Sequence, residues 1–322
     1  MGKTNVLEAI HMLSSGKSFR AEKDVDMIKL GQGFATIDAQ LQDDSHTVKI
    51  STQLINNTTI FHKRYLLNGV GKRHSDFADF FCSTIFSPQD LELISESPNH
   101  RRRYIDTILS MAFPLYRRAL STYTKGLRQR NKLLGLIREG KHRYSPDEFT
   151  YWNTLLIEQA ALITEYRQNL ISFINESEKK VYDLSITYDT SAFTESRLTK
   201  YKDAERAAGV TLIGPQRDDF LIMFPDKTRL IREFASRGEQ RMTVLQLKLL
   251  EIFYLKEKTD QIPLLLLDDI FSELDAQNIA HIARLLPSQQ TIITTTELDY
   301  IPEEIVQHAK IVTLPIESRD QE

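Results

Sequence analysis

The stretch Pro263-Leu264-Leu265-Leu266-Leu267-Asp268-Asp269, running on as Ile270-Phe271-Ser272-Glu273-Leu274-Asp275, decides the fold. Four leucines in a row leave a strand no polar face, and only a strand covered on both sides can be built that way. This is the condition of a central strand in a parallel sheet flanked by helices. Two carboxylates directly after it are costly beside so apolar a segment unless something cationic compensates them. The carboxyl end of such a strand is also where open α/β sheets bind their ligands. Downstream, a helix over residues 276–286 and a strand over 291–294 complete a strand-helix-strand unit, which makes the class α/β.

A strand of this kind needs a phosphate cradle to face, and the first residues hold part of one. Gly2-Lys3-Thr4 is the end of the P-loop pattern G-x-x-x-x-G-K-[ST], in which backbone N–H groups and the lysine meet phosphates. Val6, Leu7, Ala9, Ile10 and Leu13 then recur at near-helical spacing, and Gly16 is a C-terminal stop. With a P-loop in front, the acid ending the buried strand holds Mg²⁺, so Asp268 is the expected metal ligand. Asp269 stands where a base could polarise an attacking water. A third segment, Ser236-Arg237-Gly238-Glu239, reads as a capping box that opens a helix carrying Met242, Leu245, Leu249, Leu250 and Phe253. Its N-terminus is an anion site in waiting.

Between these α/β segments the pattern changes twice. From Phe34 to Phe61 residues alternate as in short antiparallel strands, with Asn56-Asn57 and Asn68-Gly69 as hairpin turns. After Pro88 two helical stripes follow. Tyr116, Leu120, Tyr123, Leu127, Leu134 and Ile137 form one; Trp152, Leu156, Ile163, Tyr166, Leu170 and Ile174 lie on the other. The polar link of residues 140–146 makes them an antiparallel arm.

The chain carries a net charge of −3, which would oppose DNA binding if it were evenly spread. It is not. Residues 101–143 hold twelve Lys and Arg against Asp106 and Glu139, a net +10 that leaves −13 for the remainder. A basic excess with so little interspersed acid is best tolerated next to a polyanion. Arg101, Arg102, Arg117, Arg118, Lys125, Arg128 and Lys132 are the candidate DNA contacts. The single cysteine, Cys82, excludes an internal disulfide framework. No uninterrupted apolar run is long enough to span a membrane and no leader pattern opens the chain, so a cytoplasmic location is expected.

In this order, GKTN running into LEAIHMLSSGKSFR, then FSPQDLELI, PNHRRRYID, GPQRDDF, ASRGEQR and PLLLLDDIFSELD closely resemble the RecF group of SMC-like, ABC-type ATPases, across nearly the whole chain. The resemblance implies an ATPase head, residues 1–86 and 204–322, interrupted by a helical arm domain, residues 87–203. It implies ATP and Mg²⁺ as cofactors, with Gly2, Lys3 and Thr4 at the nucleotide, Thr4 and Asp268 as the Mg²⁺ ligands and Asp269 as the catalytic base. Ser236 and Gly238 match the signature motif that meets ATP held by a second subunit, and Asp275 belongs to the D-loop beside it. It further implies an ATP-dependent homodimer that binds single-stranded or gapped DNA and works with the RecO and RecR mediator proteins. The expected roles are recombinational repair, replication restart, recombinase loading and the SOS response. The group's loop reads G-x-N-G-x-G-K-T-N behind an N-terminal strand, whereas Met1 directly precedes the last glycine here, as in a copy without the front of its cradle. A DNA-binding scaffold that does not hydrolyse ATP is therefore the alternative. A small-molecule P-loop kinase fits neither the signature helix nor the basic arm.

Overall fold

The computed structural model describes residues 2–21, 23–42, 47–57, 60–72, 82–272, 279 and 289–314. In chain order its main elements are α1 (Lys3–Ser15), β1 (Phe34–Gln42), β2 (Thr47–Asn57), β3 (Ile60–Leu67), β4 (Val70–Lys72) and β5 (Ser83–Phe86). There follow α2 (Pro98–Ala112), α3 (Pro114–Arg138), α4 (Pro146–Glu176), β6 (Ser185–Asp189), α5 (Glu195–Ala208) and β7 (Asp219–Met223). The last are α6 (Arg237–Thr259), β8 (Leu264–Asp268) and β9 (Thr291–Thr294). The chain divides into two compact units, Met1–Asp90 with Glu251–Glu322, and Leu91–Leu250.

In the first unit, β8 lies between β5 and β9 and pairs with both in parallel. Leu265, Leu266 and Leu267 are buried, as a strand with no polar face demands. Helix α1 packs on this sheet through Leu7, which forms a core cluster with Ile85 and Leu266. Gly16 ends the helix in the left-handed conformation and donates its N–H to the Met12 carbonyl. Strands β1 to β4 form a separate antiparallel sheet in sequential order, against which Leu13 packs through Ile37, Ala39, Leu41, Tyr65 and Leu67. Asn68 and Gly69, both at positive φ, make the β3–β4 turn. The other expected turn is corrected. Asn56 and Asn57 remain in β2, paired with Phe61 and Ile60. The helix expected over 276–286 lies almost wholly outside the described residues.

In the second unit, α3 and α4 pack antiparallel with Tyr116, Tyr123, Leu134, Leu156, Ile163 and Leu170 buried. Two positions of these stripes hold arginine instead. Arg130 reaches Glu205 of α5 at 2.7 Å and Thr211 at 2.7 Å. Arg167 donates to Asp106 and to Asp218, each at 2.8 Å. Burial opposes its charge, but Asp106, Tyr116, Tyr188 and Asp218 around it hold the guanidinium well above its ordinary pKa. Asp218 also accepts from Tyr188 Oη at 2.5 Å and from the Ser191 N–H at 2.7 Å.

The GPQRDDF segment owes its first residue to this packing. Gly214 has φ 113° and ψ 173°, a conformation nearly confined to glycine. A Cβ there would stand 2.3 Å from Tyr123 Oη and 2.7 Å from Phe193. Gly214→Ala should therefore cost about 2–3 kcal/mol from backbone strain and overpacking together. Urea unfolding would show it as a lower midpoint at unchanged slope, and an unchanged midpoint would disprove it.

The domain boundaries differ from those expected at 203/204. Residues 204–250 belong with the arm helices, and the division falls at Leu250/Glu251, inside α6. Helix α6 is tied there by the Gln246 side chain, which accepts the Val181 N–H at 2.8 Å, and by Tyr104, whose hydroxyl donates to the Leu247 carbonyl at 3.1 Å.

Candidate functional site

Helix α1 starts at the carboxyl end of β8, and this juxtaposition assembles the site. Gly2 caps the helix at φ 106°, with its carbonyl accepting the Val6 N–H at 3.1 Å. Lys3 and Thr4 occupy the first turn, where N–H groups have no intrahelical partner and favour an anion. The Thr4 hydroxyl donates to Asp268 Oδ1 at 2.9 Å, although 264 residues separate the two. Asp268 is 4% exposed. The same Oδ1 accepts a 2.7 Å bond from the Thr294 hydroxyl on β9. Asp269 follows at φ 52°, its N–H bonded to the Thr294 carbonyl at 3.1 Å. A left-handed aspartate is strained, and such strain clusters at functional sites. It turns the chain sharply at the end of the strand.

Thr294 was not singled out by its sequence. The signal was available in the register, since a strand parallel to β8 must place one residue beside Asp268, and that residue is Thr294.

Ser236 and Gly238 lie exposed at the start of α6 in the second unit. The capping box forms: Ser236 donates its N–H and its Oγ–H to Glu239 Oε2, both at 2.8 Å, and Ser236 Oγ accepts the Glu239 N–H at 3.3 Å. The bonds from Ser236, backbone first, and one from the Tyr182 hydroxyl hold the Glu239 carboxyl below the usual range. Asp275 lies outside the described residues.

The basic candidates separate into two groups. Arg101 is 4% exposed, with Nε and Nη2 on the two oxygens of Asp219 at 2.8 and 3.0 Å and Nη1 on the Glu96 carbonyl at 2.7 Å. That bidentate pair removes it from the DNA-facing candidates, because its donors are already spent on internal acceptors. Arg102 is half-buried and donates to the Asp218 carbonyl at 2.6 Å, and Arg117 is half-buried as well. Arg118, Lys125, Arg128 and Lys132 are exposed along α3.

The RecF/RecN/SMC N terminal domain family matches residues 1–313. The DNA replication and repair protein RecF of Halalkalibacterium halodurans is 34% identical, with 96% of this chain and 88% of that protein covered. The chain belongs to the RecF family. A second RecF, from Herpetosiphon aurantiacus, is 33% identical over 92% of this chain and 85% of its own length. Two solved structures agree in fold as well. One, described as the recombination mediator protein RecF-ATP in the RecFOR pathway, superposes with a TM-score of 0.83 at 32% identity, covering 92% of this chain and 84% of its own. The other, RecF-ATPrS, gives 0.81 at 31% identity over 94% and 85%. The fold is thus that of the SMC-like ATPases, with α3 and α4 forming the helical arm. Among the described residues no helix is long and apolar enough to cross a membrane.

Proposed function

We propose that this chain is an ATP-dependent DNA-binding protein of DNA replication and repair, acting in recombinational repair and replication restart. The observation that carries the reading is the bond between Thr4 and Asp268, a P-loop hydroxyl and a strand-end carboxylate meeting at one point. Both are hard oxygen donors, as Mg²⁺ requires, and Mg²⁺ in such sites takes one or two carboxylates with phosphate and water making up the rest. A cluster of three or more ionisable ligands is not needed, and none occurs among the described residues. Thr4 and Asp268 would hold the ion, Gly2 and Lys3 would meet the phosphates, and Asp269 would accept the proton of the attacking water. When bound, Mg²⁺ neutralises charge on the transferred phosphate. Thr294 fixes which way the Asp268 carboxylate faces.

Ser236 and Gly238 present a helix start to the nucleotide of a second copy, which makes ATP the cause of homodimerisation. The exposed basic face of α3 meets single-stranded or gapped DNA. The RecR and RecO mediators then act with the complex to load recombinase, which supports the SOS response. The RecF-ATP and RecFOR descriptions of the similar structures support this assignment.

The test measures nucleotide binding and DNA-stimulated hydrolysis as Mg²⁺ is titrated, on the parent protein and on Thr294→Val. Thr294→Val should raise the Mg²⁺ concentration needed by about 10–100-fold, the usual effect of removing a partner that orients a ligand. Equal Mg²⁺ dependence in both proteins would rule out the metal assignment of Asp268.

A further inference from the structure

We infer that Phe234 anchors the ATP-driven homodimer by seating on Leu298 and Tyr300 of a second copy of this chain. The inference rests on the reading that Ser236 meets a nucleotide held by that copy, and it names the surfaces that close around the nucleotide.

The first surface borders the start of α6. Ile231–Phe234 is a short helix whose Ile231 is fully buried, whereas Phe234 is 59% exposed. The link from it to α6 is fixed at both ends. Ala235 donates its N–H to the Ile231 carbonyl at 3.0 Å, and its own carbonyl accepts from Gln240 Nε2 at 3.2 Å. An aromatic ring is thus held out in solvent two residues from Ser236. Its surroundings are basic: residues 227–241 hold Lys227, Arg229, Arg232, Arg237 and Arg241 against Glu233 and Glu239, a net +3. Both acids are already engaged, Glu233 with Arg232 at 3.2 Å and Glu239 in the capping box.

The second surface borders the carboxyl end of β9. Thr294 bonds to Asp268 there, so the chain leaving β9 emerges at the end of the sheet where Thr4 meets Asp268. Thr295 shapes the next step: its hydroxyl donates to the Glu297 carbonyl at 2.6 Å and accepts the Glu297 N–H at 3.3 Å. Leu298–Tyr300 then makes a single 3₁₀ turn, with Leu298 47% and Tyr300 43% exposed. Residues 297–304 contain Glu297, Asp299, Glu303 and Glu304 and no base, and all four acids are exposed.

With a nucleotide between Asp268 of one copy and Ser236 of the other, both surfaces border it. At about 3.5 Å per residue, Phe234 lies no more than about 7 Å of chain from Ser236, and Leu298 no more than about 14 Å from Thr294. Each surface offers exposed apolar side chains, and their charges are opposite. An apolar centre inside a rim of complementary charge is the usual build of a protein–protein interface, and a buried aromatic is its usual anchor. DNA would be repelled by the acidic surface. A second copy satisfies both surfaces at once, and a two-fold axis forms the contact twice.

Phe234→Ala should weaken dimerisation about thirtyfold when sedimentation is measured in ATP and Mg²⁺, the loss expected for one aromatic hot spot. Its thermal midpoint should match that of the parent, because the ring is exposed. Crosslinking reads the contact itself. Phe234→Cys and Leu298→Cys, made as separate proteins and mixed with ATP, Mg²⁺ and a short bismaleimide, should give a crosslinked pair. Neither protein alone should do so, nor the mixture without ATP. Cys82, the single natural cysteine, is buried and adds no background.

An ATP-dependent dimer whose affinity is unchanged by Phe234→Ala would overturn the anchor and leave the reading of Ser236 standing, as would a dimer without the crosslink. A crosslink of Phe234→Cys to itself would put the ring against its own counterpart and overturn the seating. No association of the parent protein in ATP would remove both the inference and the reading beneath it.

Discussion

Arg167→Ala should lower the thermal midpoint of the arm unit by about 6–20 °C, since each kcal/mol shifts a unit of this size by about 2–4 °C. The expected loss is about 3–5 kcal/mol, the cost of leaving buried charges without their partner. Arg167 is 1% exposed and its guanidinium is committed to Asp106, to Asp218 and to the Pro215 carbonyl at 2.9 Å. Removing it strands the buried Asp218 carboxylate and takes the cation from Asp106, which is only partly exposed and keeps the Tyr116 hydroxyl. Asp218 would keep only Tyr188 and the Ser191 N–H, which do not neutralise it. Arg167→Lys keeps the charge but offers a single ammonium where a planar fork bridged two acids, so an intermediate loss is expected. Calorimetry on the three proteins decides the matter. A midpoint for Arg167→Ala within 2 °C of the parent would mean, at about 2–4 °C per kcal/mol, that the network does not hold the unit together.

This network also marks where the sequence stops being legible. The strand β8 could be read because its cause is local: four leucines admit no exposed face. The same holds for α1, whose spacing and terminal Gly16 lie within one segment, and for the Asn68-Gly69 turn. Asp268 was legible as a strand-end carboxylate, and Thr4 as the end of a P-loop pattern. What pairs them is a hydrogen bond across 264 residues, which no window of sequence contains. Arg167 escaped notice for the same reason. It occupies a core position of an amphipathic helix, and its acids stand 61 and 51 residues away. Arg101 was misread in the opposite direction. Within Arg101-Arg102-Arg103 it looks like surface charge, yet Asp219, 118 residues on, closes over it. The second unit runs on past 203/204 for the same reason, because Asp106 precedes that point but Glu205, Asp218 and Asp219, which also neutralise the arm's buried arginines, lie beyond it.

Removing Arg101 from the DNA face changes what the remaining charges should do. Six phosphate contacts, half of the twelve basic residues between positions 101 and 143, would give a log–log salt slope of about −5 on duplex DNA, at about 0.9 per contact. The structure leaves Arg118, Lys125, Arg128 and Lys132 exposed on α3, and four contacts give about −4. A fourfold rise in salt should then weaken binding by about a hundredfold. Lys125, Arg128 and Lys132 are spaced three and four apart, so one DNA backbone could meet all three. Replacing them together by glutamine should bring the slope to about −1, and the same rise in salt should then cost only about fourfold. The loss should be alike on every sequence, because phosphate contacts carry no base information. The fold should survive, since these side chains are exposed and glutamine is a good helix former. Titrations across a salt series with both proteins measure the two slopes directly. Equal slopes would mean that this face of the arm is only solvated and that DNA is held elsewhere on the molecule.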